Sequence, residues 1–227
     1  MEVGYQIPYG NRIARSIFRP IFRGLFHILG QVEITGKENI PESGAYIVAQ
    51  NHISTYDSPF VLVFWPKHLE AAGARAVWDR PFQSILARMY GGIKVHRGQF
   101  DRKLIDRLIL ALQSGYPLLI APEGGRSGRP GMRRAKPGVA YLAQKSKVPV
   151  IPVGVHGSGE EYFRDAMKGR RPLISMCIGK PIHLPLIEGR GKTRRIKLQE
   201  NSDLIMSNIA ALLPLEYGGV YVKTEES

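Results

Sequence analysis

The sequence predicts an α/β fold: a mostly parallel central sheet covered by helices on both faces. Three observations point there. Short apolar runs rich in valine and isoleucine recur along the chain, as doubly covered strands do. They alternate with stretches of about ten residues whose apolar positions repeat at helical spacing. Glycine or proline stands at most of the junctions. A chain of 227 residues with 44% hydrophobic content can bury a full core, so one folded domain is the economical reading.

The first element is an amphipathic helix over residues 11–29. At 100° per residue, Arg12, Arg15, Arg19 and Arg23 share one arc, and Ile13, Ile17, Ile21, Leu25 and Ile28 gather opposite. Pro20 lacks an N–H and is expected to bend or divide it. A basic amphipathic helix suits the plane of an anionic bilayer. Residues 1–30 are therefore expected to associate with membrane, and 31–227 to form a single domain. The competing expectation is a helix packed on its own domain, its arginine stems lying along apolar surface.

Strands are expected at 32–35, 45–49, 74–77, 93–96, 117–121, 148–155 and 173–178, with helices at 58–63, 82–90, 101–113, 138–146 and 203–213. Pro149 and Pro152 suggest an edge position or a bulge for the sixth strand.

Charge and absences bound the function. Thirty-two Lys and Arg against 19 Asp and Glu give +13, a surface that attracts polyanions: nucleic acid, anionic headgroups or phosphorylated small molecules. Cys177 is the only cysteine, which excludes an intrachain disulfide and a thiolate metal cluster, and its apolar run marks a strand cysteine. No apolar run approaches the ~18 residues of a membrane-spanning helix. Neither a Gly-x-Ser-x-Gly elbow, a Walker loop nor a Gly-x-Gly-x-x-Gly turn occurs, which argues against a serine hydrolase, a nucleotide hydrolase and dinucleotide chemistry.

In such folds, sites collect beyond the C-terminal ends of the strands. Three polar clusters fall there: residues 51–57, His96-Arg97, and 123–127. Histidine is the side chain whose ordinary charge change lies nearest neutrality, so His52 can act as a general base. Asp57 can hold its second ring nitrogen, provided a turn intervenes, because five residues along one helix would place the two on different faces. Gly124 and Gly125 allow close backbone approach, and N–H groups near them can meet developing negative charge. Arg126 offers a planar fork for phosphate, Arg97 a second phosphate contact, and Glu123 can orient Arg126 or a substrate hydroxyl. With no enzyme nucleophile in view, the nucleophile is expected to be the substrate's own.

These residues resemble the motifs of the glycerolipid O-acyltransferase family, whose members acylate 1-acylglycerol-3-phosphate (lysophosphatidic acid) and related lysolipids. Asn51-His52 with Asp57 resembles the first motif, His followed by four residues and Asp. Residues 92–97, ending in Arg97, resemble the second. Pro122-Glu123-Gly124-Gly125-Arg126-Ser127 resembles the third, with Gly125 where threonine is usual. The proline-bearing strand at 148–153 resembles the fourth, and residues 136–140, from Lys136, resemble the segment that follows the third. The match covers about residues 45–157. The resemblance implies catalysis by His52 and Asp57, and substrate binding by Arg97, Glu123, Gly124, Gly125, Arg126, Ser127 and Lys136. It further implies acyl-CoA or acyl carrier protein as donor, a lysophospholipid acceptor, and no metal or tightly held cofactor. A monotopic or peripheral place on the cytoplasmic face of the cell membrane follows as an expectation. Other lysophospholipid or amino-lipid acceptors stay open, and a basic nucleic-acid-binding protein is the distant alternative.

Overall fold

Residues 46–49 are all fully buried and alternate between two apolar layers, as a strand covered on both faces must. The computed structural model describes residues 4–96 and 101–222. Seven strands form one sheet: β1 (Gln31–Thr35), β2 (Ile47–Gln50), β3 (Glu70–Ala74), β4 (Ile93–Val95), β5 (Leu118–Ile120), β6 (Val150–His156) and β7 (Leu173–Ile178). Their order is β1-β7-β6-β2-β5-β3-β4, every pair parallel except β6 with β7. One face carries α1 (Tyr9–Leu29), α2 (Asp57–Phe64) and α6 (Glu161–Met167), through Phe26, Phe60 and Tyr162. The other carries α4 (Arg102–Gln113), α5 (Gly138–Ser146) and α7 (Gly191–Ala210), through Leu108, Leu142 and Ile205. Helix α3 (Pro81–Tyr90) packs beside α1, and the short α8 (Leu215–Gly218) follows α7.

The sheet bears out the predicted class, decides between edge and bulge for the sixth strand, and corrects three local expectations. Strand β6 is interior, not an edge. Pro152 is accommodated because the β7 ladder stops at Val153↔Ile178 and pairing resumes only at the bridge Val150↔Ile182. Three steps on β6 thus face four on its partner, an interruption of bulge type, and Pro152 uses its carbonyl there to accept from Gly179 N–H at 2.9 Å. The third strand is Glu70–Ala74, and the expected 74–77 is largely a 3₁₀ turn, Arg75–Val77. Helix α2 begins at Asp57, one residue before the Ser58-Pro59 signal. Helix α7 begins twelve residues before the expected 203; its opening turns carry Lys192, Arg194, Arg195 and Lys197, without apolar periodicity and against the helix dipole.

Helix α1 continues through Pro20 undivided, and Arg15, Arg19 and Arg23 face inward while Arg12 is exposed. Arg15 is buried and paired with buried Glu70 at 2.5 Å, while its Nε donates to Tyr90 O at 2.7 Å. Arg19 donates to the carbonyls of Trp65 and Pro66, and Arg23 to that of Val63. Ile13, Ile17, Ile21, Leu25 and Ile28 are left outward, 42–76% exposed. What α1 offers its surroundings is therefore the apolar stripe, while its arginine side packs on the domain. Among the described residues no helix is long and apolar enough to cross a membrane.

Candidate active site

Strand β2 delivers the site. Its side chain Gln50 ends the strand, and the chain then runs into Asn51, which is fully buried. Asn51 Nδ2 donates to Val155 O at 2.8 Å and its Oδ1 accepts from Val155 N–H at 2.7 Å. This reciprocal pair extends the β2–β6 ladder by one rung, so the next residue, His52, leaves the sheet from a fixed point. The chain then bends through residues 54–56, and Asp57 opens α2. That bend brings the two side chains together: His52 Nδ1 and Asp57 Oδ2 are 3.0 Å apart.

Asp57 has no exposed surface, and each of its hydrogen-bond partners among the described residues donates to it. Its Oδ2 accepts from the backbone N–H groups of Ile53 (2.7 Å) and Ser54 (2.8 Å), and its Oδ1 from the hydroxyls of Ser54 (3.3 Å) and Ser158. A carboxylate can only accept, so the ring proton of His52 sits on Nδ1 and the Nε2 lone pair is free to take another. No partner for Nε2 exists among the described residues, and the His52 side chain is 17% exposed. Among candidate arrangements this is a base held in one tautomer with its working nitrogen open to a ligand.

Sequence reasoning did not find Ser158. It lies 101 residues from Asp57, on the turn after β6, and is fully buried. No short-range spacing signals such a contact. It touches Asp57 and not the open nitrogen, so it positions. Ser158→Ala is expected to lower kcat about tenfold with the KM for either substrate unchanged, since one donor to the orienting carboxylate is lost. An unaltered kcat in steady-state assays would remove Ser158 from this role.

The loop after β5 packs against the same bend. Ser127 N–H donates to His52 O at 2.8 Å and Gly128 N–H to Ile53 O at 3.1 Å, so the third motif is stitched to the first through backbone. Glu123 is 2% exposed; its Oε1 accepts from His52 N–H (2.8 Å) and its Oε2 from Arg133 N–H (2.7 Å). Both oxygens are therefore engaged by main chain. This corrects the expectation that Glu123 orients Arg126 or a substrate hydroxyl: it braces the backbone of His52. Burial pushes its carboxyl above the ordinary range, opposed by those two N–H groups.

Arg126 is exposed and its Nη1 reaches Thr55 Oγ1 at 2.5 Å, leaning the guanidinium over the His52–Asp57 bend. Gly124 sits at φ +66, and a Cβ there would meet the Lys136 side chain at 2.9 Å, which lays that lysine along the loop. Gly124 N–H donates to Ala121 O at 3.0 Å and so is not open to a ligand. The Ser127 hydroxyl is turned to Arg129 O at 2.6 Å and holds the loop to itself. Gly125 is buried. Strand β4 ends at the same sheet edge as β2 and β5, but Arg97, two residues past it in sequence, lies outside the described residues. The structure thus brings together His52, Asp57, Glu123, Gly124, Gly125, Arg126, Ser127 and Lys136, and divides them into groups that face a ligand and groups that hold the others.

Comparison with known proteins gives the same reading. The family model described as Acyltransferase matches residues 31–156, more than half of the chain. A 1-acyl-sn-glycerol-3-phosphate acyltransferase of Bacillus subtilis is 25% identical over 162 residues, covering 70% of this chain and 77% of its own. A protein of that name from Ovis aries, the alpha form, is 25% identical over 150 residues, covering 65% and 51%. An uncharacterized protein of Mycobacterium tuberculosis (strain H37Rv) is 28% identical over 176 residues, covering 71% and 46%. The chain spans about half the length of most of the curated relatives it matches. Among solved structures, the 1-acyl-sn-glycerophosphate (LPA) acyltransferase PlsC from Thermotoga maritima shares the fold, with a TM-score of 0.61 at 20% identity, over 86% of this chain and 79% of that one. A matched domain that begins at β1, ends with β6 and encloses the histidine–aspartate bend leaves one conclusion: this chain belongs to the acyltransferase family.

Proposed function

We propose that the protein transfers a fatty acyl group from a thioester donor, acyl-CoA or acyl carrier protein, to the free hydroxyl of 1-acyl-sn-glycerol-3-phosphate, giving phosphatidic acid. The observation that carries this is the His52 Nδ1–Asp57 contact with Nε2 left open. His52 Nε2 takes the hydroxyl proton, and the alkoxide oxygen bonds to the thioester carbonyl carbon. The tetrahedral intermediate collapses, the C–S bond breaks, and the proton passes from His52 to the leaving thiolate. Asp57 stabilises the imidazolium between these two transfers. The N–H of Gly125 has no partner among the described residues and is the candidate donor to the intermediate's oxygen. The acceptor's phosphate falls to Arg126, whose fork stands beside Thr55 with N–H groups to spare. The names of the relatives support this acceptor.

The test is purified protein with labelled acyl-CoA and a panel of lysolipids, read by mass spectrometry. Product is expected from the phosphate monoester acceptor above those with larger or cationic headgroups. Arg126→Ala should raise the acceptor KM roughly tenfold or more with a smaller change in donor KM, the loss of a charge-assisted contact. An unchanged acceptor KM would take Arg126 out of the phosphate site.

The proposed place of action is a membrane surface, with the outward stripe of α1 as the contact. Among the described residues nothing covers Ile13, Ile17, Ile21, Leu25 and Ile28, which are 42–76% exposed, and Phe82, Ile85 and Met89 of neighbouring α3 are 43–70% exposed. Ile17→Glu with Ile21→Glu is expected to release the protein from vesicles while leaving its melting temperature within a few degrees of wild type, because both side chains are already exposed. Vesicle binding that survives this pair would show the contact lies elsewhere.

A further inference from the structure

The sheet edge opposite His52 carries a second feature that the transfer chemistry does not use. Strand β1 runs against β2, so its end falls beside the start of β2, far from the catalytic bend. Helix α2 starts at Asp57 and delivers Phe64, Pro66 and His68 to this same edge. Between them and α1 lies an open cleft of about 740 Å³. Its polar lining is Ser16, Arg19, Arg23, Lys37 and His68, and its apolar lining includes Ile34, Ile40, Phe64 and Ile178. Among the described residues no carboxylate lines it.

The cations there are not neutralised. Among the described residues Arg19, Arg23 and Lys37 make no ion pair. Arg19 and Arg23 donate to carbonyls at the end of α2. A helix C-terminus offers about half an elementary negative charge, against three full positive charges in the cleft. Burial, and then the neighbouring Arg23 charge, pull Arg19 below its ordinary value. Arg19 Nε and His68 Nδ1 are buried without a partner among the described residues. Capping α2 therefore accounts for the arginines' direction but not for the charge that accumulates.

We propose that this cleft is an anion site, separate from the catalytic pair, which holds the phosphate of an anionic lipid headgroup with its first carbons against Ile34, Ile40, Phe64 and Ile178. The shared chemistry is a phosphate ester, and a soluble ester could supply it too. Position favours the lipid. At 100° per residue, Ser16 and Arg23 stand roughly a third of a turn from the centre of the outward apolar stripe of α1. A helix lying with that stripe at the headgroup–acyl boundary would bring its flank, and the cleft beside it, to phosphate level. This placement rests on the membrane contact proposed above, whereas the anion site rests on the cleft alone.

The experiment compares the whole protein with Lys37→Glu and Lys145→Glu. Lys37 and Lys145 are both exposed, so both variants should fold; Lys145 lies on α5, in the opposite layer. Partition is measured onto phosphatidylcholine vesicles with about 30% phosphatidylglycerol, and binding of glycerol 3-phosphate is measured in solution. Lys37→Glu is expected to weaken vesicle partition roughly tenfold, and Lys145→Glu less than about twofold, because screening leaves only nearby charge effective. Glycerol 3-phosphate binding, a property of the Arg126 site, should be unchanged in both. Equal losses in the two variants, or none, would overturn the cleft as a site. A Lys37→Glu protein that loses glycerol 3-phosphate but keeps its vesicle partition would overturn the lipid assignment. The vesicle readout depends neither on acyl transfer nor on the Arg126 site, so the transfer reading can fail while this one stands.

Discussion

His52→Ala is expected to lower kcat by about 10²–10⁴-fold or more, with the protein still folded, because it removes the base poised at the open end of the site. The side chain is partly exposed, and its backbone N–H and carbonyl, which hold Glu123 and Ser127, are retained by alanine. A purified His52→Ala protein turning over near the wild-type rate would sink the assignment. The geometry also sets an order among variants of its partner. Asp57 Oδ2 faces two backbone N–H groups that cannot turn away, whereas Oδ1 faces two hydroxyls that can. In Asp57→Asn the amide oxygen must therefore take the Oδ2 place and the NH₂ the other. Nδ1–H keeps its acceptor and the tautomer survives; what disappears is the negative charge beside the imidazolium. Asp57→Asn should thus cost less than His52→Ala, roughly ten- to a hundredfold in kcat. Asp57→Ala should fall below it, since two backbone donors and two hydroxyls are then left unmatched in a dry site. A rank order with asparagine at or below alanine would show that the tautomer argument is wrong.

How much of this was legible in the sequence depends on the range of the contact. Elements with strong local periodicity came through: α5 and β7 have the boundaries their patterns predict, and the helix that Asp101 caps through Leu104 N–H begins where its aspartate stands. The His52–Asp57 pair was readable because its partners are five residues apart and a strand end lies just before them. Ser158 was not, because its contact with Asp57 depends on β6 lying beside β2, a fact of strand order. Glu123 was placed in the right loop and given the wrong task. A sequence shows a carboxylate near an arginine, but not that main-chain donors have already taken both oxygens.

Helix α1 marks the limit most clearly. A helical wheel separates its arginine arc from its isoleucine arc, yet it is symmetric about which arc faces the domain. The usual preference would bury isoleucine. The structure buries arginine because the domain surface beneath α1 is unusually rich in acceptors: the carboxylate of Glu70 and the carbonyls of Val63, Trp65, Pro66 and Tyr90. Those carbonyls come from the C-terminal ends of α2 and α3 and the turn after α2, which no periodic pattern reports. The same inversion explains the missed start of β3. Glu70 lies outside the strand expected at 74–77, and its place at the start of β3 goes with its pairing to Arg15.

That pair carries the second large effect. Glu70→Ala is expected to destabilise the protein by about 3–5 kcal/mol, the usual consequence of leaving one member of a buried ion pair behind. For a chain of this size that lowers the melting temperature by roughly 6–20 °C. Arg15 and Glu70 are each 1% exposed, so the orphaned guanidinium has no water to turn to. Tyr5 also loses its acceptor, since its hydroxyl donates to Glu70 Oε2 at 2.5 Å, and burial followed by that carboxylate already pushes its pKa up to about 12. Removing both charges should hurt less than the sum of the parts. In Arg15→Met with Glu70→Leu no unpaired charge is left, and what remains unmet is the Tyr5 hydroxyl and the Tyr90 carbonyl, groups worth about 1–3 kcal/mol each when stranded. Arg15→Met alone should resemble Glu70→Ala, because it strands the carboxylate instead. Calorimetry of the two single variants and the double closes the cycle. Single variants that melt with wild type would mean the pair is not buried in solution. A double variant as unstable as the two singles combined would mean that the charges act separately and not as one bond holding α1 to β3.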